Sequence, residues 1–344
     1  MIKFAGTGLE KSFTFGLQKL FSDTSPHRTI PGQTLITPGA DFVADLSLSR
    51  RKFLAATATT VGAMAIPAFA ADKPKKLVMI AGTPSHGPGA HEFNAGTLLL
   101  AKCLKGFPGL ELSVNLNGWP KDETVFEGAD GIFIYADGGG GHPAVQKDRL
   151  VKIDQWMKKG VGLMCAHYGV EVLKDKGGPE FQRWIGGYYE NSFSVNPMWK
   201  PEFNEFPKHP ITNGVGPFAV DDEWYFNMRF RPEMKGVTPI LTAKPSDKVR
   251  EGPYVYPRGP YPHIQEAKGR PEHMMWVVER EDGGRGAGFT GGHNHLNWKN
   301  DGFRKVVLNA LVWLVKLDVP AKGVESSVTD EDIKANLDPK GQKK

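Results

Sequence analysis

The chain has 344 residues, 24% of them charged, with 43 Lys+Arg against 38 Asp+Glu and a formal net charge of +5. That excess is small, and no Lys/Arg cluster alternates with aromatic residues, which argues against a nucleic-acid surface. The two cysteines, Cys103 and Cys165, form no CxxC or other zinc-thiolate spacing, and two buried free thiols are the expected state.

The first segment reads as an address rather than as structure. Residues 49–54 are SRRKFL, followed by a weakly apolar run from Ala55 to Ile66 and by Ala68-Phe69-Ala70. Paired arginines, a short apolar stretch and an A-x-A cleavage pattern resemble a twin-arginine signal peptide. The apolar run, broken by threonines, Gly62 and Pro67, falls short of the roughly 20 residues a membrane span needs. The expectation is export through the twin-arginine translocase to the periplasm or beyond, with residues 1–70 as leader. Its removal takes away 7 basic and 4 acidic residues and leaves 36 and 34, a net of +2, so the calculated pI says nothing about partners.

From residue 71 onward, strand and helix alternate. Lys76 to Ala81 is a short continuous apolar run, the pattern of a strand buried on both faces. A helix from about Glu92 to Lys105 follows, then an alternating strand from Leu110 to Leu116. Gly131 to Ala136 is a third strand. Val145 to Lys159 is amphipathic, with Leu150, Ile153, Trp156 and Met157 inward, and Val161 to Ala166 is a fourth strand. This rhythm predicts an α/β fold with a doubly wound, mainly parallel sheet. The stretch from Glu180 to Arg280 has weaker periodicity, with strands expected at Gly236 to Ala243 and His273 to Glu279. Gly286 to Thr290 reads as the last strand, and an apolar-periodic helix runs from about Phe303 to Leu317. The domain is expected to span residues 71–319, with an irregular polar tail over 320–344.

Histidines cluster where such a fold places its ligands. In doubly wound sheets the binding crevice lies beyond the carboxyl ends of the strands. His86 and His91 follow the first strand in PSHGPGAHEF, His142 the third in DGGGGHP, His167 the fourth in CAHYG, and His293 and His295 the last in GGHNHLNW. His91 reads as the opening of the first helix. Imidazole is the commonest metal ligand and the usual acid or base near neutral pH, so His86, His167, His293 and His295 are expected to converge at one sheet edge. The glycine run 138–141 lacks the lysine and hydroxyl of a phosphate loop, and no nucleotide fingerprint is present.

Taken in order, SHGPGAHEFNAG, GGGGHP, KKGVGLMCAHYGVE, VDDEWYF and GRGAGFTGGHNHLNW resemble the ThuA-like proteins linked to trehalose utilisation. Those share the flavodoxin-like architecture of class I glutamine amidotransferases. The resemblance spans about Lys75 to Lys316 and implies carbohydrate metabolism. It also singles out Glu223 within Asp221-Asp222-Glu223. Cys165 is not the amidotransferase nucleophile, because it lies inside the fourth strand and His167 stands at the exit. The expected site therefore has His167 and Glu223 as catalytic groups and His86, His293 and His295 as ligands of a divalent metal, zinc foremost. Asp137, His142, Tyr168 and Trp298 are expected to contact substrate, with Trp199, Trp224 and Tyr225 as further candidates for an aromatic wall. A metal-free site with His167 as base is the alternative. Two functions remain open: an enzyme, hydrolase or isomerase, acting on a disaccharide or keto-sugar, and a non-catalytic carbohydrate-binding or scaffold protein. The sequence carries no signal for oligomeric state.

Overall fold

A computed structural model describes residues 73–340. The leader and its arginine pair lie outside these residues. Seven strands form one sheet: β1 (Lys75–Ala81), β2 (Leu110–Asn115), β3 (Ala129–Tyr135), β4 (Gly162–Ala166), β11 (Val237–Ala243), β12 (Glu272–Glu279) and β13 (Arg285–Phe289). Their spatial order is β11-β12-β13-β4-β3-β1-β2. The β1/β2, β1/β3, β3/β4 and β4/β13 pairs are parallel, and β12 and β11 join antiparallel at one edge. The parallel part has the 2-1-3-4-5 order of flavodoxin-like sheets. The last strand of the chain, β13, runs parallel to β4, so the loop after it opens on the same edge as the loops after β1, β3 and β4.

Alternation along the strands builds two cores. Leu77, Met79 and Ala81 of β1 face one side with Phe133 and Tyr135 of β3, covered by α1 (Phe93–Leu104) and α6 (Asp301–Leu314). Val78 and Ile80 face the other side with Ile132, Ile134 and Cys165, covered by α2 (Arg149–Met157) and α3 (Gly178–Ile185). Asn300 caps α6, its side chain accepting from the Phe303 amide at 3.0 Å, which sets the helix start two residues before the apolar period begins.

The weakly periodic middle resolves into short antiparallel pairings. β5 (Gly187–Tyr188) pairs with β10 (Arg229–Phe230), β6 (Met198–Trp199) with β9 (Asp222–Glu223), and β7 (Glu202–Phe203) with β8 (Phe218–Ala219). Two short helices, α4 (Asp247–Glu251) and α5 (Pro262–Gln265), complete it. Asp222 fastens this segment to the loop after β13: its carboxylate accepts from the Gly292 amide at 2.7 Å and the Asn294 amide at 2.9 Å.

The polar segment after residue 319 departs from the irregular tail expected. It contains α7 (Asp330–Lys334), closed by a capping box between Thr329 and Asp332. It packs back on the domain, with Val324 and Ile333 buried in the core.

Candidate active site at the carboxyl edge of the sheet

Each site loop leaves its strand through a turn that side chains seldom adopt. His86, His91 and His167 have φ of 60°, 50° and 51°, and Gly292 has φ of 114°. Left-handed non-glycine residues carry local strain that the surrounding structure must hold, and they concentrate at functional sites. His167 follows the last residue of β4 directly, at the sharp strand exit. Cys165 stays inside the strand, fully buried, and burial pushes its thiol well up. Both cysteines are free. Cys165→Ala is expected to cost about 1 kcal/mol, as for loss of one buried heavy atom, in a urea titration, with ligand binding unchanged. Abolished activity in a folded variant would restore the thiol as nucleophile.

The imidazoles of His91, His167 and His293 meet the Glu223 carboxylate at one point. His91 Nε2 lies 2.9 Å from His167 Nε2 and 3.1 Å from His293 Nδ1. Glu223 Oε2 is 2.7 Å from His293 Nδ1 and 3.9 Å from His167 Nε2. All four atoms fall within 4.8 Å of one another. Two nitrogens bound to one zinc at 2.0–2.1 Å stand about 2.9 Å apart at right angles and about 3.4 Å apart at the tetrahedral angle, so this spacing suits one ion.

Hydrogen-bond accounting gives the same answer independently. His91 Nδ1 is 2.9 Å from Asp137 Oδ1, a carboxylate oxygen, and His167 Nδ1 is 3.0 Å from the Thr290 carbonyl. Both partners accept, so both Nδ1 atoms carry the proton and donate. Both Nε2 atoms then present bare lone pairs to each other at 2.9 Å, which a cation between them relieves. Tying the far ring nitrogen to a carboxylate or carbonyl is also how metal-binding imidazoles are oriented. Burial and the neighbouring imidazoles hold His91 down at about 2 and His167 well below the usual histidine range, so both are neutral at physiological pH. For His293 burial opposes protonation, but the Glu223 carboxylate outweighs it and raises the imidazole above its ordinary value. Asn196 donates to the other Glu223 oxygen at 2.7 Å. Three imidazoles and a carboxylate are a donor set that zinc accepts.

The cluster borders a cavity of about 260 Å³ lined by His91, His293 and Glu223 together with His86, Tyr168, Glu171, Asn191, Asn196, Tyr225, Val255 and Tyr256. The Tyr225 hydroxyl is 3.3 Å from His167 Nε2. The Glu171 side chain has no hydrogen-bonding or ionic partner among the described residues, and burial, then the Glu223 charge, raises its carboxyl to about 8. Gly138 lets the chain pass here: a Cβ would meet the Tyr168 carbonyl oxygen at 2.1 Å.

Against the sequence expectations, His167, His293 and Glu223 converge, Asp137 orients His91, and Tyr168 lines the cavity. Four placements need correction. His295 is buried beside the site, but its Nε2 meets the Ile333 carbonyl at 3.0 Å, so its spacing from His293 does not bring both rings to one point. The ring of His86 stacks on His91 with centroids 3.6 Å apart, and its Nδ1 meets Ser85 at 3.0 Å. It stands at the rim, 3.9 Å from Asp137 and outside the four-atom cluster, but with His91 and Asp137 it makes a second group of donor atoms lying within 4.8 Å of one another. His142 is fully buried and structural, with Nδ1 accepting from the Ala144 amide at 3.0 Å and Nε2 donating to the Gly169 carbonyl at 2.9 Å. Trp298 packs in the core against Phe303 and Tyr135, and Trp199 and Trp224 are buried with it.

His91 is the member of the cluster that the sequence reading set aside. It does sit just ahead of α1, but its left-handed backbone turns the ring back beneath the loop rather than along the helix. A second histidine in one glycine-rich loop was the available signal. Glu171, Asn191, Asn196 and Tyr256 carried none, because the irregular segments around them have no period to interpret.

A family model described as "ThuA: Trehalose utilisation" matches residues 122–314. Among solved structures, a ThuA-like protein from Bacteroides uniformis ATCC 8492 superposes with a TM-score of 0.50 at 17% identity, covering 73% of this chain and 96% of that one. A ThuA-like protein from Parabacteroides merdae ATCC 43184 gives a TM-score of 0.49 at 16% identity, covering 75% and 94%. None of the curated proteins matches the chain.

Proposed function

The chain belongs to the ThuA trehalose-utilisation family, and from that premise we propose that it is an exported sugar-processing enzyme with a divalent metal, zinc foremost, held by His91, His167, His293 and Glu223. The observation that carries the reading is the meeting of those four donor atoms at a polar cavity, with two imidazoles already oriented by Asp137 and Thr290. A metal so held polarises a substrate oxygen or lowers the pKa of a bound water.

The chain's own groups supply the rest. A carboxyl raised to about 8 keeps Glu171 protonated at neutral pH, while Glu223 is tied to His293 and Asn196 as a hydrogen-bond acceptor. Glu171 is thus the proton donor to a departing or carbonyl oxygen. Tyr168, Tyr225 and Asn191 offer hydroxyl and amide groups to a polyol. The cavity volume of about 260 Å³ falls below the roughly 300–1,000 Å³ that encloses a drug-sized ligand. One sugar ring fits inside, and the second ring of a disaccharide extends past the rim at His86. Hydrolysis or isomerisation of a disaccharide or its keto form is the class of reaction this suits.

The test is metal analysis of purified protein together with turnover of disaccharides and their 3-keto forms, before and after chelation. About one divalent ion per chain and turnover lost on chelation are expected. Binding of the sugar without turnover would make the protein a carbohydrate-binding member of the family instead. Export is tested separately. Replacing Arg50 and Arg51 by lysine is expected to hold the protein in the cytoplasm, since the pair is the receptor-read address. Normal processing of the double variant defeats that part of the reading.

A further inference from the structure

The segment ending at Lys340 runs to the loop that carries His91. The Lys340 side chain is only 4% exposed, and its ammonium lies 3.2 Å from Glu92 Oε1, whose side chain is 1% exposed. The same ammonium donates to the Ala90 carbonyl and approaches the Gly87 carbonyl at 3.5 Å. Glu92 in turn accepts from the Gly89 amide at 2.8 Å through one oxygen and from the Asp338 amide at 2.8 Å through the other. The Asp338 side chain accepts from Asn94 at 2.6 Å. One cation therefore sits among loop oxygens of Gly87, Ala90 and Glu92, on either side of His91 in the same loop.

The tail also grips the facing loop. The Ile333 carbonyl holds His295, and the two loops are joined at a seam where the His91 amide donates to the His293 carbonyl at 3.0 Å and the His295 amide to the Gly89 carbonyl at 2.9 Å. Both sides of the seam that sets His91 against His293 are thus fastened by residues 333–340. Without this strap, a glycine-rich loop with left-handed backbone at His86 and His91 has little to keep it in one conformation.

We propose that the C-terminal segment is part of the site, with Lys340 and Asp338 acting through Glu92 as positioning residues for His91. The proposal rests on the reading of the histidine cluster as a metal centre. Neither residue touches the cluster, so their effect is on the geometry and mobility of the loop.

The test uses the full chain with Lys340→Met, Lys340→Arg and, in case the buried Glu92 left behind by the first prevents folding, a variant ending at Leu337. Zinc affinity is measured by competition with a chromogenic chelator. Amide exchange of residues 85–92 is measured in zinc-free protein. Lys340→Met and the shortened chain are expected to bind zinc about 10–100-fold more weakly, the range for loss of an outer partner of a ligand, with faster exchange confined to residues 85–92. Lys340→Arg restores both. Wild-type affinity and unchanged exchange in the shortened chain overturn the proposal. Should the wild-type protein bind no zinc, the metal reading fails and the exchange data alone decide: acceleration in residues 85–92 upholds the strap, and none refutes it.

Discussion

Replacing His91 by alanine is expected to leave purified protein with less than a tenth of its metal, with turnover falling in proportion. His91 Nε2 is the atom closest to both other imidazole nitrogens, at 2.9 and 3.1 Å, so its removal takes away the centre of the donor set. Loss of a direct ligand should exceed the roughly 10–100-fold in affinity that an outer partner contributes. Asp137→Asn falls within that smaller range, since the amide oxygen still accepts from His91 Nδ1 but the charge that strengthens the ring as a donor is gone. His295→Ala is the matched control, being buried next to the site yet turned to Ile333. It should lose far less metal than the His91 variant, since it removes only the tail's hold on the facing loop and no donor of the cluster. Stoichiometry by plasma emission and affinity by chelator competition read all three. Full metal retention in the His91 variant would show that the four-atom cluster is not the binding site.

How much of this the sequence could say follows from where periodicity exists. The apolar runs of β1, β3 and β4 and the amphipathic helices between them have a repeat that the physics of burial imposes, so the sheet and its active edge were legible. That edge then selected His167 and His293, each leaving its strand within a few residues of the end. The direction of a side chain in a loop has no such repeat. His293 and His295 differ by two residues, which would share a face only on extended backbone. Here Gly292 at φ 114° and the 3₁₀ turn beginning at His295 break that extension, so one ring turns to the four-atom cluster and the other to the tail. His91 was misread for the same reason. In Asp221-Asp222-Glu223 composition and spacing offer three adjacent acids with no rule to separate them, and only the family resemblance pointed to Glu223. Pairing of β9 with β6 separates them, setting Asp222 under the loop amides and Glu223 in the cavity. The tail looked disposable because polar, Pro- and Gly-punctuated sequence normally stays in solvent. Its anchors are single residues whose partners lie far along the chain, 38 positions away for Ile333 and more than 200 for Asp338 and Lys340, at separations no local pattern encodes.

His142 gives the second large effect, and it is one of pH rather than of chemistry. The ring is fully buried, and desolvation, only partly offset by the bond to the Gly169 carbonyl, lowers its pKa from 6.5 to about 4. In the folded protein it is therefore neutral where the unfolded chain is already protonated. A base whose folded pKa is depressed contributes stability that is present above the unfolded value and lost as pH falls towards the folded one. The window is pH 6.5 down to 4, and at about 1.36 kcal/mol per unit the loss reaches about 3 kcal/mol. His142→Asn keeps an acceptor for the Ala144 amide, as a helix-capping side chain does, and removes the titration. At pH 7 the variant should be the less stable protein by about 1–2 kcal/mol, having lost the bond to Gly169 and some packing. As pH falls to 4.5 the wild type should lose stability relative to the variant until the order reverses. Urea titrations of zinc-free protein at pH 7.0, 5.5 and 4.5 measure this, and because only the difference between the two proteins is read, the other buried histidines and the raised carboxyls cancel. A gap between the two curves that stays constant with pH would mean that His142 is protonated in the fold, which its donation to one carbonyl and acceptance from one amide do not allow without breaking the turn at Ala144.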